Sequence, residues 1–302
     1  MLFRRLLSGV AFFAVFYAVI WCDIRFETGW FLAGSMAIFC TWALKEFYQL
    51  ARVHGWQPFS KFCYICNIVF FLGYEYWCQQ KWHTAEPQFQ GGDLTILTFT
   101  ILGIFLLQIT RKDQKGAMGS IASSLLGLCY CWFLISFLIR IRHLDFPGTT
   151  IGWGYDGAEA VFLAVLTAKA SDVGGLIIGN KFGKHKLCPS LSPKKTWEGV
   201  FGGIILAICV LSSFALSEPL GTIRSIGWIK IVGFAVLMAV SSLMGDLVES
   251  ALKRDAEVKD AGKAIPGFGG VLDLLDSLMV SAPAAYFYFV FVCGAKPGSS
   301  IY

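Results

Sequence analysis

Long apolar runs recur along this chain and restrict it to very few folds. A helix that crosses a bilayer needs about 20 mostly apolar residues. The chain is 56% hydrophobic and only 15% charged, whereas soluble domains are usually about 25% charged. About nine runs have a suitable length, and they are centred on residues 6–22, 28–44, 62–78, 94–110, 117–139, 157–179, 198–217, 228–249 and 270–292. The sequence therefore predicts an all-α, polytopic integral membrane protein with about nine transmembrane helices.

The distribution of Lys and Arg predicts the orientation. With nine spans and a cytoplasmic N-terminus, the loops on the inside hold more than twice as many Lys and Arg residues as those on the outside. Positive residues collect on the cytoplasmic side of membrane proteins, so we expect the N-terminus in and the C-terminus out. The basic, apolar start of the chain lacks a small-x-small cleavage site, and we interpret it as an uncleaved first helix.

The chain is predicted to form one membrane domain with two unequal halves. Residues 1–145 are hydrophobic and aromatic, with little charge inside their apolar runs, so we interpret them as scaffold helices. Residues 146–302 contain the unusual polar features and are predicted to hold the functional site, which faces the cytoplasm. No loop is long enough to form a soluble domain.

The eighth run ends in polar residues that share one helix face. Asp246, Glu249, Ser250 and Lys253 are spaced at i, i+3, i+4 and i+7. Charges at the mouth of membrane helices are costly and usually serve a function. A Glu249–Lys253 pair at an ordinary helix end is the simpler alternative, but it leaves Asp246, deeper in the run, unexplained.

The ninth run begins with two acids one helical turn apart, Asp273 and Asp276, after a glycine-rich segment at 266–270. Two neighbouring carboxylates suit Mg²⁺, which proteins often share with substrate phosphates. Backbone N–H groups at a helix N-terminus can also bind an anion. The alternative is that both acids complement the helix dipole.

A third polar segment, residues 179–199, carries five Lys and three hydroxyl side chains in a stretch broken by glycine and proline. Its Ser192, Lys194 and Lys195 are candidate phosphate contacts, although a loop that anchors to anionic lipid would look similar. Inside the sixth run, Lys169 and Asp172 are three residues apart. They form either a neutralising ion pair or part of a site.

These motifs together resemble those of the phosphatidate cytidylyltransferases, also called CDP-diacylglycerol synthases. The likeness is carried by SALKR at 250–254, KDAG at 259–262 and IPGFGGVLDLLD at 265–276, with GKHKL at 183–187 and SPKKTWEG at 192–199. It covers about residues 150–292, and Asp172 lies where the family has an acid before the lysine segment.

The resemblance implies transfer of CMP from CTP to phosphatidic acid, which yields CDP-diacylglycerol and pyrophosphate. It implies a Mg²⁺ ion, with room for a second cation, and a multi-pass protein of the bacterial inner membrane. Asp246, Asp273 and Asp276 are the implied metal ligands and, with Lys253, the implied catalytic groups. The implied substrate-binding residues are Asp172, Ser192, Lys194, Lys195, Arg254, Lys259 and Asp260.

Three positions depart from the family pattern: Phe268 replaces the usual His, Leu274 the usual Arg, and Leu176 lies near the position of a usual Tyr. They leave open a weak or non-catalytic homologue. An ion-coupled transporter is a further alternative, but no inverted repeat supports it. The modest net charge of +5 and the absence of a motif argue against nucleic acid, so CTP, phosphatidic acid and the bilayer are the expected partners, with a homodimer left open.

Overall fold

The computed structural model describes residues 2–81, 92–146, 155–216, 227–262, 264–265 and 269–297. Within these ranges almost all regular structure is helical, and each predicted apolar run coincides with a helix or a broken helical rod. The helices are α1 (Leu2–Arg25), α2 (Trp30–Val53), α3 (Ser60–Lys81), α4 (Gly92–Ile109), α5 (Ala117–Gly127), α6 (Phe137–Arg142), α7 (Tyr155–Phe182), α8 (Trp197–Leu216), α9 (Trp228–Asp255) and α10 (Leu272–Phe291). The predicted all-α class is confirmed.

Five rods of the described chain are long and apolar enough to cross a membrane, namely Ala117–Arg142, Gly157–Phe182, Trp197–Leu216, Trp228–Asp255 and Leu272–Phe291. The first of these joins α5 to α6 through a π-helical turn at Leu128–Phe133. The helix Leu94–Ile109 is apolar but shorter. These rods support a multi-pass integral membrane protein, while nine spans and the orientation stay predictions.

The buried core lies where α2, the π-helical turn, α7 and α10 meet. Leu44, Trp132, Val165 and Leu275 are each at most 1% exposed. The apolar face of α8 is instead turned outward, since Phe201 is 61% exposed. Exposed apolar surface of this kind suits lipid rather than water.

The lysine-rich segment is more regular than the broken loop that the sequence predicts. α7 continues to Phe182, and β2 (Lys186–Cys188) then pairs antiparallel with β3 (Ser192–Thr196) directly before α8. The two helices cross closely at glycines: a side chain at Gly174 would overlap the backbone of Gly202. The hairpin is therefore fixed at the end of a tight helix pair, with Thr196 buried beneath it.

The remaining strands form one short ladder, in which β1 (Leu144–Asp145) pairs antiparallel with β4 (Lys296–Pro297). It joins the end of the α5–α6 rod to the residues after α10. The segment 140–156 contains Pro147 and several glycines, which favour an external turn-rich loop, and its residues 147–154 lie outside the described residues.

Candidate functional site

Three aspartates from three helices form the centre of the site: Asp172 on α7, Asp246 on α9 and Asp276 on α10. We call them the acid cluster. The carboxyl groups of Asp246 and Asp276 are in hydrogen-bonding contact, and the charge of Asp246 acts on Asp172. Carboxylates this close need a proton or a cation between them. The arrangement therefore has the charge pattern of a cation site.

A glycine brings two of these helices together. A side chain at Gly245 would overlap the backbone of Asp276 and Ser277. Because Gly245 has none, α9 approaches α10 at the point where each helix carries an acid. The glycine before Asp246 is thus a requirement of the cluster, since a larger residue would separate the two carboxyl groups.

Two lysines supply the positive charge that faces the acid cluster. The Lys195 Nζ, from strand β3, lies 2.7 Å from the Asp246 Oδ2. The Lys169 Nζ lies 3.5 Å from the Asp172 Oδ2 and donates to the Leu274 carbonyl at 2.8 Å. Lys169 and Asp172 are therefore an ion pair that also belongs to the site, which combines the two alternatives left by the sequence.

Two serines complete the acid cluster, and sequence reasoning missed both. The Ser242 Oγ donates to the Asp172 Oδ1 at 2.5 Å, and the Lys169 Nζ donates to the Ser277 Oγ at 2.6 Å. Ser242 precedes Asp246 by four residues and Ser277 follows Asp276 directly. The first spacing is a usable signal, because residues four apart share a helix face.

A second ion-pair group lies at the end of α9. The Lys253 Nζ contacts the Glu249 Oε2 and lies 2.6 Å from the Asp273 Oδ1. The Asp273 Oδ2 accepts the N–H groups of Ala261 at 3.0 Å and Gly270 at 2.7 Å. The expected Glu249–Lys253 pair is present, but Lys253 also reaches α10. Asp273 holds the segment before α10 instead of joining the acid cluster.

The other predicted residues surround these two groups. Ser192 begins β3 and is half-buried, whereas Lys194, Lys259 and Asp260 are exposed. The Arg254 Nε lies 3.5 Å from the Leu191 carbonyl, so its side chain runs from α9 to the hairpin.

The three departures from the family pattern differ in what the structure shows of them. Phe268 lies outside the described residues. Leu274 is described, and its side chain is buried while its carbonyl accepts the ammonium of Lys169. Leu176, by contrast, is 40% exposed.

The carboxylates of the site fit a divalent ion in part. Among the described residues, no group of three or more His, Cys, Asp or Glu side chains is arranged to hold one. The Asp246–Asp276 pair still fits Mg²⁺, which is commonly bound by one or two carboxylates together with substrate phosphates. Since Asp273 is engaged by Lys253 and two amides, the predicted set of three carboxylates is not assembled in this structure.

The polar groups therefore converge at one end of the bundle: acids suited to a cation and lysines suited to phosphate. The N–H groups that the sequence offered for an anion around the start of α10 are taken by carboxylates of the protein, that of Gly270 by Asp273 and that of Leu272 by Glu46. The chain is also similar to known proteins. The model of the family described as "Cytidylyltransferase family" matches residues 3–292.

Several known proteins are similar in sequence to much of this chain. A phosphatidate cytidylyltransferase of Haemophilus influenzae is 32% identical over 299 residues, which cover 96% of this chain and 99% of the relative. One from Synechocystis is 29% identical over 307 residues, with 95% and 96% covered. One from Bacillus subtilis is 36% identical over 194 residues, with 64% of each covered. The chain belongs to the cytidylyltransferase family.

Proposed function

We propose that this protein is a phosphatidate cytidylyltransferase, which transfers CMP from CTP to phosphatidic acid and releases pyrophosphate. The observation that carries the proposal is the ion pair between Lys195 and Asp246. It joins the lysine hairpin to the acid cluster across 51 residues of sequence, so that phosphate-binding and cation-binding groups share one site. The family and its named relatives support the same reaction.

In this reaction the protein mainly aligns the two substrates and neutralises the charge of their phosphates. An oxygen of the phosphatidate phosphate attacks the α-phosphorus of CTP, and the bond from that phosphorus to the pyrophosphate oxygen breaks. A phosphate monoester is largely dianionic at pH 7 because its second pKa is about 6, so no strong base is needed. Lys194, Lys195, Lys253 and Arg254 would bind the phosphate oxygens, with Ser192 donating a hydrogen bond beside them.

Mg²⁺ would be held by Asp246 and Asp276, and when bound it supplies charge neutralisation at the phosphates. Lys253 would exchange Asp273 for a substrate phosphate, which frees Asp273 as the third carboxylate. Lys169 stays between Asp172 and α10 and balances part of the negative charge. Lys259 and Asp260, both exposed beside the site, would contact the nucleotide.

The proposed membrane arrangement has nine spans, a cytoplasmic N-terminus and an external C-terminus, in a bacterial inner membrane. CTP then enters from the cytoplasm and the lipid from the side. Single cysteines placed at residues 112 and 296, in a variant whose native cysteines are replaced, test this in intact cells. We expect a membrane-impermeant maleimide to label position 296 only. Labelling at position 112 would overturn the orientation.

The activity is tested with purified protein in detergent micelles, labelled CTP and phosphatidate, with product followed in the lipid phase. We expect CDP-diacylglycerol to form only when a divalent cation is present. Folded protein that makes no product from several phosphatidates would overturn the proposed function and favour a non-catalytic homologue.

A further inference from the structure

One buried acid of the N-terminal half reaches the region of the proposed site. Glu46 lies near the end of α2, and its side chain is almost fully buried. Its Oε2 accepts the backbone N–H of Leu272 at 2.8 Å, across 226 residues of sequence. The N–H of Val271 also donates to this carboxylate. Glu46 therefore contacts the first residues of α10, the helix that carries Asp273 and Asp276.

This contact supplies hydrogen-bond acceptors for the N–H groups at the start of α10. The first N–H groups of any helix have no partner within the helix. At Val271, the residue that precedes α10, no side-chain cap is formed. A carboxylate at a helix N-terminus accepts these N–H groups and complements the helix dipole. Glu46 thus caps α10 from a different helix, which ties the start of α10 to α2.

Two glycines enclose the Glu46 carboxylate. A side chain at Gly262 would overlap its Oε1, and one at Gly270 would overlap its Oε2. These glycines flank the segment that leads into α10, and the amide of Gly270 is one of the two that Asp273 accepts. Glu46 therefore fixes both ends of that segment as well as the first turn of the helix.

We propose that Glu46 is a positioning residue for the cytidylyl transfer. It fixes the start of α10, and hence the directions in which Asp273 and Asp276 point toward α9. The inference rests on the proposed function and extends it to the half of the chain predicted to be scaffold. Glu46 acts through the helix and the adjoining segment, and the structure shows it in contact with protein groups only.

The test compares Glu46→Gln with Glu75→Gln. Glu75 is a matched control, because it is also a buried acid of the N-terminal half that accepts a backbone N–H, that of Gly29. For Glu46→Gln we expect kcat per folded molecule to fall about 10- to 100-fold, as for other groups that orient a site, with KM for CTP changed less than about threefold. Glu75→Gln should keep the kcat of the parent protein. Equal kcat values in the two variants would overturn the proposal.

A second pair of variants covers the case in which Glu46→Gln folds poorly. Gly270→Ala should lower kcat because the new methyl group displaces the Glu46 carboxylate. Glu46→Asp withdraws that carboxylate by one methylene and makes room for the methyl group. The double variant, Glu46→Asp with Gly270→Ala, should therefore lose less activity than the product of the two single losses. Independent, multiplicative losses would contradict the contact.

Hydrogen exchange separates failure of this inference from failure of the proposed function. Even if the parent protein makes no product, Glu46→Gln should speed exchange of the Leu272 amide at least about tenfold, since the amide loses a charged acceptor. Glu75→Gln should leave that amide unchanged. Unaltered exchange at Leu272 in Glu46→Gln would refute the cap whatever the reaction.

Discussion

Two polar clusters lie toward opposite ends of α2, and only one of them has the charge pattern and the exposure of a ligand site. The first, which we call the Glu75 cluster, contains Asp23, Glu75, Arg142 and His143 and meets the start of α2. The acid cluster lies near the other end of α2, beyond Glu46. Glu46 lies 17 positions after Gly29, which corresponds to about 25 Å of helix, so the two clusters are well separated.

In the Glu75 cluster the acids face donors. Glu75 accepts the N–H of Gly29 at 3.0 Å and the ring of His143 at 2.8 Å. Asp23 accepts the N–H of Phe31 at 2.9 Å. Both acids are fully buried. Buried charges that are paired and hydrogen-bonded in this way hold helices together.

In the acid cluster the acids face one another. Three carboxylates meet two ammonium groups, and the side chains of Asp172 and Asp246 are still 28% exposed. Like charges kept together at an accessible position have a stability cost that a ligand can offset. Buried charge by itself thus does not mark a site in this protein. The acid cluster differs in that several carboxylates lie together and two of them remain partly exposed.

The largest expected effect is loss of turnover in Asp246→Asn. The substitution keeps the shape but removes one charge of the Asp246–Asp276 pair, so we expect kcat to fall at least about 100-fold while the protein stays folded. The micelle assay and size-exclusion chromatography measure both. Glu75→Gln serves as the control from the other cluster. A near-normal rate in Asp246→Asn would refute its role as a cation ligand.

The sequence predicted the positions of the helices better than their contacts. Apolar length alone located every rod, because a bilayer fixes that length. It did not reveal Asp23, Glu46 and Glu75 as buried groups, since single acids near helix ends look like ordinary polar boundaries. The sequence predicted little charge inside the apolar runs of the N-terminal half, and of these three acids only Glu75 lies inside one. Their burial was not predicted, because the groups that pair with them are not their neighbours in sequence.

The candidate site was predictable only where its residues lie on one helix. Asp246 and Lys253 share a helix face, so spacing alone placed them together. The approach of Lys195 to Asp246 depends on the pairing of β3 with β2, which no periodicity in a lysine-rich segment indicates. The link from Lys253 to Asp273 likewise depends on how α9 packs against α10. The individual motifs were visible, whereas their division into two ion-pair groups was not.

Removal of divalent cations should have an effect of similar size. We expect excess EDTA to abolish turnover, because the Asp246–Asp276 pair would then repel the substrate phosphates. Added Mg²⁺ or Mn²⁺ should restore the rate. Asp276→Asn should shift the Mg²⁺ titration to higher concentrations, while Glu75→Gln should not. Turnover that persists in EDTA would show that the acid cluster works without a divalent ion.

For the Glu75 cluster we expect a smaller effect, on stability and not on turnover. Glu75→Gln removes the charged partner of His143 and weakens the bond to Gly29, and breaking a buried ion pair destabilises proteins by about 3 kcal/mol. We expect a lower Tm in detergent but an unchanged kcat per folded molecule. Thermal unfolding and the micelle assay, run on the same preparation, measure both. A lower kcat without a lower Tm would mean that this cluster takes part in the reaction.

The smallest expected effect is a pH dependence of stability that comes from His143. Burial tends to lower the pKa of His143, but the neighbouring Cys78 and Glu75 outweigh this and raise it to about 9. In the unfolded chain the pKa is about 6.5, so protonated His143 stabilises the fold below that pH, and the contribution is lost as the pH rises through about 9. We expect Tm to fall by a few degrees across this window. His143→Gln should flatten that fall, whereas Asp246→Asn should keep it, because Asp246 belongs to the other cluster. A profile that is equally steep in His143→Gln would assign the pH dependence to other groups and leave the Glu75–His143 pair without a measurable share of stability.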